Sequence, residues 1–101
     1  MARYLLLALN GPTDGDGDKE TYNNWYDEVH LPDLLELDGI QTAERFEVVH
    51  SNTEWPYVAA YEIETDDIDA VLKDMTEKPR PFTPAFDRSK SGFILAKSLK
   101  S

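Results

Sequence analysis

The stretch DKETYNNWYDEVHLPDLLELDGI, residues 18–40, decides how this chain folds. In its first half, aromatic and apolar residues recur at intervals of three and four positions, which is the spacing of one helix face. These residues are Tyr22, Trp25, Tyr26, Val29 and His30. His30 is the member of this stripe that titrates near neutral pH. The pattern therefore predicts a helix that holds an imidazole among aromatic rings.

A proline interrupts this helix two residues after the histidine. The ring of Pro32 disfavours helical geometry at Leu31 and removes the backbone donor that would have reached the Glu28 carbonyl. We therefore expect the regular helix to end near His30. A second, shorter helical turn is expected to open at Pro32 and to stop at Gly39.

The chain has 101 residues and no cysteine. This length suits a single domain with its own hydrophobic core, and we expect residues 1–101 to form one. The lack of cysteine excludes disulfides and thiolate chemistry. The chain also lacks a secretory signal and an apolar run long enough to cross a bilayer. These features together predict a cytoplasmic protein.

The charge balance excludes two classes of partner. Twenty Asp and Glu residues stand against ten Lys and Arg residues, so the formal net charge is −10. Such a field repels phosphate backbones and anionic membrane surfaces, whose binding depends on basic groups. We therefore expect neither nucleic acid nor a membrane as a partner.

The acidic loop TDGDGD, residues 13–18, has the alternating aspartates that open a calcium-binding EF-hand loop. The rest of that motif fails, because Lys19 stands where the sharp-turn glycine belongs and Trp25 where the bidentate glutamate belongs. We therefore predict no metal site, and interpret the loop as a flexible acidic turn that ends with Asp18 as the cap of the first helix.

Four short segments of apolar or alternating residues predict β-strands, at residues 3–10, 40–50, 57–65 and 92–100. A second helix is predicted between the third and fourth strands. Thr65 or Asp66 is expected to cap it, and Lys78-Pro79 to end it. Its apolar face carries Ile68, Val71, Leu72 and Met75.

The resulting order βαββαβ predicts an α+β, ferredoxin-like fold, in which a four-stranded antiparallel sheet carries both helices on one face. Two helices cover only one face of the sheet, yet the first strand is apolar on both of its faces. One face carries Leu5, Leu7 and Leu9, and the other carries Tyr4, Leu6 and Ala8. Because a large exposed apolar face is unstable in water, we predict a homodimer through sheet-to-sheet packing.

The segment WYDEVHLPDLLELDGI, residues 25–40, resembles the EthD-type branch of the dimeric α+β barrel proteins. The histidine of that family pattern corresponds to His30, and its proline and leucine correspond to Pro32 and Leu34. This chain departs from the pattern with Asp33 between them, and with Leu-Asp-Gly at residues 37–39 where a Pro-Gly pair is more usual.

The resemblance implies a homodimer whose two sheets form a barrel, with a pocket in each subunit between the sheet and its helices. Proteins of this kind include accessory proteins of aromatic or ether degradation, polyketide cyclases and dehydratases, and cofactor-free monooxygenases of small phenolic compounds. The pocket would therefore take an apolar small-molecule ligand. Because the sequence has no paired metal-ligand spacing of histidines and no dinucleotide or phosphate-loop motif, we expect no metal and no cofactor.

His30 is the candidate proton-transfer residue, because its pKa lies near neutrality and its neighbours can move it either way. Burial by the aromatic rings would favour the neutral form. Carbonyls freed at the helix break, and Asp27 or Asp33, would favour the charged form. The alternative role of His30 is to cap the free carbonyls and perform no chemistry.

Tyr26, four residues before His30, is the second candidate catalytic residue, because its phenol could polarise a carbonyl. Five other aromatic residues are candidate substrate-binding residues, with core packing as the alternative: Tyr22, Trp25, Tyr61, Phe82 and Phe86. Three arginines near possible pocket edges are interpreted as surface ion-pair partners: Arg45, Arg80 and Arg88. The other histidine, His50, is interpreted as an exposed turn residue.

These features lead to one functional hypothesis and three alternatives. The hypothesis is a small cofactor-independent enzyme that acts by acid–base chemistry on an apolar aromatic or polyketide-like molecule. The first alternative is a non-catalytic ligand-binding or accessory dimer, and the second is a cofactor-free monooxygenase. The third is a scaffold without a ligand, in which all of the aromatic residues belong to the core.

Overall fold

A computed structural model describes residues 1–100 of the chain. It contains four strands, three α-helices and one π-helical segment, which we call the π segment. The elements are β1 (Ala2–Asn10), α1 (Asp18–Trp25), the π segment (Tyr26–His30), α2 (Leu31–Leu35), β2 (Ile40–Glu47), β3 (Tyr57–Thr65), α3 (Ile68–Glu77), a 3₁₀ turn (Arg88–Lys90) and β4 (Gly92–Lys97).

The four strands form one antiparallel sheet in the order β2-β3-β1-β4. The first strand is central because it is apolar on both faces and pairs with both β3 and β4. The predicted ferredoxin-like α+β fold is therefore confirmed. Strand β2 is shorter than predicted and ends at Glu47, which pairs with Tyr57, the first residue of β3. The last strand likewise ends at Lys97 rather than at residue 100.

The core lies between the helices and one face of the sheet. Its largest fully buried side chains are Tyr22 and Tyr26 from the first helical region, and Tyr61 and Ile63 from β3. The helical stripe predicted from sequence thus faces the strand residues that alternate inward. Among residues 1–100, no helix has the length and apolar character needed to span a membrane.

The proline does not break the first helix, so this prediction is wrong. Leu31 keeps helical angles, with φ −59° and ψ −48°, and its N–H donates to the Tyr26 carbonyl five residues earlier. This wider turn, with one extra residue, is a π-bulge, which a helix can contain without ending. The helical backbone therefore continues from residue 18 through residue 35, with the π segment in place of a break.

The predicted helix caps are also displaced. Helix α1 is preceded by Gly17, at φ 78°, and the Asp18 carboxylate instead accepts hydrogen bonds from the loop that precedes the helix. Helix α3 is capped by Asp67, whose carboxylate accepts from the Ala70 N–H at 3.1 Å. The hydroxyl of Thr65, two positions before the cap, accepts from the Asp67 N–H. Helix ends fray, and their boundaries commonly differ by one or two residues.

The other face of the sheet carries no helix. Strand register places Leu5, Leu7 and Leu9 on it beside residues of the neighbouring strands. Leu5 is 40% exposed, and on the flanking strands Phe46 and Ile94 are 45% and 53% exposed. We call this surface the open face.

Candidate active site beside the π segment

A cavity of about 360 Å³ lies between the first helical region, the sheet and the loop that precedes β4. It contains both predicted catalytic residues, His30 and Tyr26. Of the predicted substrate-binding residues, it contains Tyr61, Phe82 and Phe86. The full lining is Leu6, Ala8, Asn10, Tyr26, His30, Leu34, Tyr61, Met75, Phe82, Phe86, Arg88, Ser91 and Gly92.

Aromatic rings surround the His30 imidazole, which is 6% exposed. Its ring stacks on Trp25 with centroids 4.6 Å apart and an interplanar angle of 20°. Phe82 and Tyr26 make edge-to-face contacts with it at 4.8 and 5.2 Å. These contacts fix the orientation of the imidazole without a hydrogen bond.

The polar atoms of this imidazole are not used by the fold. The Nδ1 atom of His30 is buried and has no hydrogen-bond partner. The helical backbone continues through Leu31, so no free helix end lies beside the ring. These observations argue against the helix-capping role that the sequence left open, and a buried unpaired nitrogen is costly to a fold that does not use it.

Burial decides the charge state of His30. It lowers the pKa of His30 from 6.5 to about 4, and the carboxylate of Asp33 opposes this only in part. Asp33 is itself engaged by Arg80, whose guanidinium donates to it at 2.8 Å and lowers the pKa of that carboxyl. At neutral pH the imidazole is therefore uncharged, with one donor nitrogen and one acceptor nitrogen.

A hydrogen-bonded network joins two residues of the cavity wall, Asn10 and Tyr26, to Tyr22 behind it. The Tyr22 hydroxyl donates to Oδ1 of Asn10, and Nδ2 of Asn10 donates to the Tyr26 hydroxyl at 3.2 Å. Asn10 is 4% exposed, so both ends of its amide are satisfied in the interior. This arrangement orients the Tyr26 oxygen as an acceptor toward Asn10 and leaves its own hydrogen available to another group.

Tyr61 also lines the cavity, and its hydroxyl is buried. It is close enough to Tyr26 for the two phenols to affect each other's pKa, yet it has no hydrogen-bond partner of good geometry. Burial raises the pKa of both Tyr26 and Tyr61 above 10. Both phenols are therefore protonated at neutral pH and can donate to a ligand oxygen.

Arg45 lies under the tyrosines and is more buried than a surface ion-pair partner. Its guanidinium lies 4.4 Å from the centroid of the Tyr26 ring, and its side chain is 12% exposed. It donates to Asp27 at 2.9 Å and to Asn23 at 2.8 Å. Its positive charge lowers the pKa of Tyr26, although burial has the larger effect.

Two of the predicted substrate-binding residues lie outside the cavity lining. Tyr22 is fully buried behind the wall, where it bonds Asn10. Trp25 supports the far face of the imidazole and donates to the Pro81 carbonyl at 3.3 Å. In the sequence, Tyr22, Trp25 and Tyr26 share one helical stripe. The pattern could not show which of them lines the cavity and which lie behind the lining.

The cavity also contains residues that the sequence did not predict as catalytic or substrate-binding residues. Asn10 looked like the start of a turn because Gly11 and Pro12 follow it. Leu34 and Met75 were expected only as apolar helix residues. Arg88 was interpreted as a surface ion-pair partner near a pocket edge; it lies in the lining instead, and none of the salt bridges within residues 1–100 involves it. Asn10 is a polar residue at the end of an otherwise apolar strand, and this was the one feature of the sequence that could have identified it as a site residue.

The described acidic residues form no metal centre. Residues 1–100 contain no group of three or more His, Asp or Glu side chains placed to hold a metal ion. In the acidic loop, the Asp18 carboxylate accepts hydrogen bonds from the Thr13 hydroxyl and the Gly15 N–H. Both hydrogen bonds go to Oδ2 of Asp18, which is therefore already used within the loop.

Comparison with known protein families finds no family that matches the sequence. One curated relative is Core atranone cluster (CAC) protein 1 of Stachybotrys chlorohalonatus (strain IBT 40285), which is 33% identical over 60 residues. The match covers 59% of this chain and 26% of that protein. The chain thus spans about a quarter of the length of this relative.

Two solved structures share the fold over nearly the whole chain. A DABB family protein with a ferredoxin-like fold from Mesorhizobium loti MAFF303099 has a TM-score of 0.66 at 9% identity, covering 94% of this chain and 95% of that one. An ethyl tert-butyl ether d (EthD) family protein from Bacillus halodurans C-125 has a TM-score of 0.57 at 14% identity, covering 98% and 100%. The chain therefore has the ferredoxin-like α+β fold of EthD-type and DABB proteins, as the resemblance of residues 25–40 predicted.

Proposed function

We propose that this chain is an enzyme that performs acid–base chemistry on an apolar aromatic or polyketide-like molecule bound in the cavity. His30 is the proton-transfer group and Tyr26 is its partner. One observation carries the proposal: a buried, uncharged imidazole with an unpaired nitrogen lines the same apolar cavity as two protonated phenols. The name of the curated relative states membership of the core atranone cluster and no reaction, so the chemistry rests on the cavity.

The proposed step is removal of a proton from the carbon next to a substrate carbonyl. The acceptor nitrogen of His30 takes this proton, and the electron pair of the C–H bond moves into the carbonyl to give an enolate. The enolate oxygen accepts hydrogen bonds from the Tyr26 and Tyr61 hydroxyls. Return of the proton to a different carbon of a conjugated enolate completes an isomerisation. Alternatively, the enolate electrons form a carbon–carbon double bond and break the C–O bond at the β-carbon, while the departing hydroxyl group takes the proton from His30 and leaves as water.

A ligand-binding module is the second candidate, and the charge state of His30 favours it. A general base is most efficient when its pKa lies near the working pH, and burial lowers the pKa of His30 to about 4. An imidazole of this kind can accept a hydrogen bond from a ligand hydroxyl without removing its proton. Such a protein would carry an apolar molecule and release it unchanged.

Exchange of the α-protons of 2-tetralone in deuterated water distinguishes these two functions. This compound is an apolar aromatic ketone, and NMR follows the loss of its α-proton signal. We expect the protein to accelerate exchange, and His30→Gln to reduce the catalysed rate about 100-fold or more. Tyr26→Phe should reduce it by a smaller factor, because Tyr61 still donates to the carbonyl.

The exposed histidine provides the matched control, and His50→Gln should exchange at the wild-type rate. Circular dichroism and unfolding in urea establish that the His30 variants are folded. Full exchange activity in folded His30→Gln would refute His30 as the base. Saturable binding of 2-tetralone without accelerated exchange would instead support the binding module.

We also propose that the chain forms a homodimer through the open face. The proposal is supported by the apolar row Leu5, Leu7 and Leu9 at the centre of the sheet, and by exposed Phe46 and Ile94 on either side. A patch of this kind is unusual on a soluble monomer, and sheets commonly pack face to face about 10 Å apart.

Sedimentation equilibrium tests the dimer. We expect the wild type to sediment at twice the monomer mass, and Leu7→Glu to dissociate because it buries a charge at the centre of the interface. Ala70→Glu adds the same charge to the exposed surface of α3 and should remain dimeric. A wild-type monomer at micromolar concentration would refute the proposal.

A further inference from the structure

The cavity differs from the rest of this acidic chain in its charge. Twenty of the 101 residues are Asp or Glu, yet none of the cavity-lining residues carries a carboxylate. Four other surface depressions on residues 1–100 each include at least one carboxylate in their lining. The single charged residue in the lining of the cavity is Arg88.

Arg88 is held at the cavity by an aromatic contact and not by an acidic partner. Its guanidinium carbon lies 5.0 Å from the centroid of the Phe82 ring, which is itself part of the wall. Within residues 1–100, no Asp or Glu forms a salt bridge with it, although the chain has two acidic residues for each basic one. The carboxylate of the adjacent Asp87 accepts from the N–H and hydroxyl of Ser89.

We propose that the cavity binds an aromatic or polyketide-like acid, whose anionic group pairs with Arg88 while its apolar body contacts the aromatic wall. The inference rests on the proposed function, because it names the class of substrate for the same cavity. A guanidinium is a planar donor that binds a carboxylate through two parallel hydrogen bonds. The hydroxyl of Ser91, also in the lining, is a further donor at this end.

The position of Phe82 relates this anion site to the imidazole. The Phe82 ring contacts both Arg88, at 5.0 Å, and His30, at 4.8 Å between ring centroids. A ligand that lies against Phe82 can therefore reach both ends of the site. An anion in the cavity also favours the protonated form of a nearby imidazole, so an acidic ligand would counter the burial that lowers the pKa of His30.

Binding of 2-naphthoate and of its neutral counterpart 2-naphthamide tests the inference. The two probes share the same ring system and differ in charge at pH 7. Isothermal titration at low ionic strength should give about three- to tenfold tighter binding of the acid to the wild type. In Arg88→Gln this preference should disappear, and Arg88→Lys should keep part of it because the charge remains.

Lys90→Gln is the matched control. It removes one positive charge from the same 3₁₀ turn but changes no residue of the lining, so it should keep the wild-type preference for the acid. Equal loss of preference in Lys90→Gln and Arg88→Gln would show a general charge effect and overturn the inference.

The remaining outcomes separate this inference from the proposed function. If both probes bind the wild type with equal affinity, the anion site is refuted and the apolar cavity stands. If Arg88→Gln keeps the preference for the acid, the assignment to Arg88 is refuted. If neither probe binds at millimolar concentration, the cavity is not an apolar ligand site, and both proposals fail.

Discussion

Two groups of buried polar side chains meet at Tyr26 and differ in how they are bonded. In the first group, the amide of Asn10 accepts from Tyr22 and donates to Tyr26, so both of its ends are used. In the second group, Nδ1 of His30 has no hydrogen-bond partner, and the hydroxyl of Tyr61 has none of good geometry. Both groups are almost completely removed from water, and only one of them is satisfied within the protein.

This difference distinguishes the buried groups that stabilise the fold from the buried groups that remain available to a ligand. A satisfied buried network contributes to stability and fixes the position of its members. Unsatisfied buried groups destabilise a fold, and they are expected to persist where a ligand completes them. Tyr26 belongs to both groups, because Asn10 fixes its oxygen while its hydrogen remains available to the cavity.

Breaking the satisfied group should produce the largest loss of stability. Asn10→Leu keeps the approximate volume of the side chain but leaves the Tyr22 and Tyr26 hydroxyls without their partner. We expect the free energy of unfolding to fall by about 4 kcal/mol, measured by urea denaturation. Asn24→Leu, at an exposed position of α1, is the control and should change it by less than about 0.5 kcal/mol.

The unsatisfied imidazole should make stability depend on pH. The folded pKa of His30, about 4, lies below its unfolded value of 6.5, so the unfolded chain takes up a proton first as the pH falls. The contribution of uncharged His30 is thus complete above the unfolded pKa and is lost as the pH falls toward 4. Each tenfold change in proton affinity corresponds to about 1.36 kcal/mol, so the contribution of His30 to the free energy of unfolding amounts to roughly 3 kcal/mol.

His30→Gln isolates this contribution, because it keeps every carboxylate of the wild type. Urea denaturation of both proteins at pH 7, 6, 5 and 4 should show the stability advantage of the wild type over the variant decreasing by roughly 3 kcal/mol. Parallel pH profiles for the two proteins would contradict a buried, uncharged imidazole.

Removing the unsatisfied hydroxyl of Tyr61 should have little effect on stability. Tyr61→Phe eliminates a buried group that has no hydrogen-bond partner of good geometry. We expect a free energy of unfolding within about 1 kcal/mol of the wild type, on the stabilising side. Exchange of 2-tetralone should nevertheless slow, because one donor to the enolate oxygen is lost. A loss of stability as large as that of Asn10→Leu would remove the distinction between the two groups.

The smallest expected effect is the change in the pKa of His30 when the charge of Asp33 is removed. The carboxylate of Asp33 raises the pKa of His30 against the larger effect of burial. Asp33→Asn should therefore lower the pKa of His30 further, as measured by NMR titration of the imidazole signals. Glu28→Gln removes the same charge from an exposed position of the π segment and should leave it unchanged. A rise in the pKa of His30 in Asp33→Asn would contradict this assignment.

Much of the fold was predictable because alternation and helical spacing are local properties of the sequence. The inward row Tyr57, Ala59, Tyr61 and Ile63 follows from a period of two, and the aromatic stripe of α1 follows from a period near 3.6. The path of the backbone at Pro32 was mispredicted, since a proline permits either a break or a π turn. The structure has the π turn, and in it both Tyr26 and His30 line the cavity.

The candidate site was predictable only in part. His30 and Tyr26 stood out by residue type and spacing, whereas Asn10 and Arg88 join them from segments distant in sequence. Asn10 ends β1, and Arg88 follows a proline-punctuated loop. Neither spacing nor composition relates these residues to a helix that begins at Asp18.

The sequence by itself determined the order of the elements, the two-faced apolar strand at the centre of the sheet and the imidazole on an aromatic stripe. These properties depend on side-chain period and residue type along one continuous segment. The tertiary structure decided the charge of His30, the division between satisfied and unsatisfied polar groups, and the presence of Arg88 in the cavity. Burial and hydrogen bonding between distant segments control these properties, and they exist only once the helices pack on the sheet.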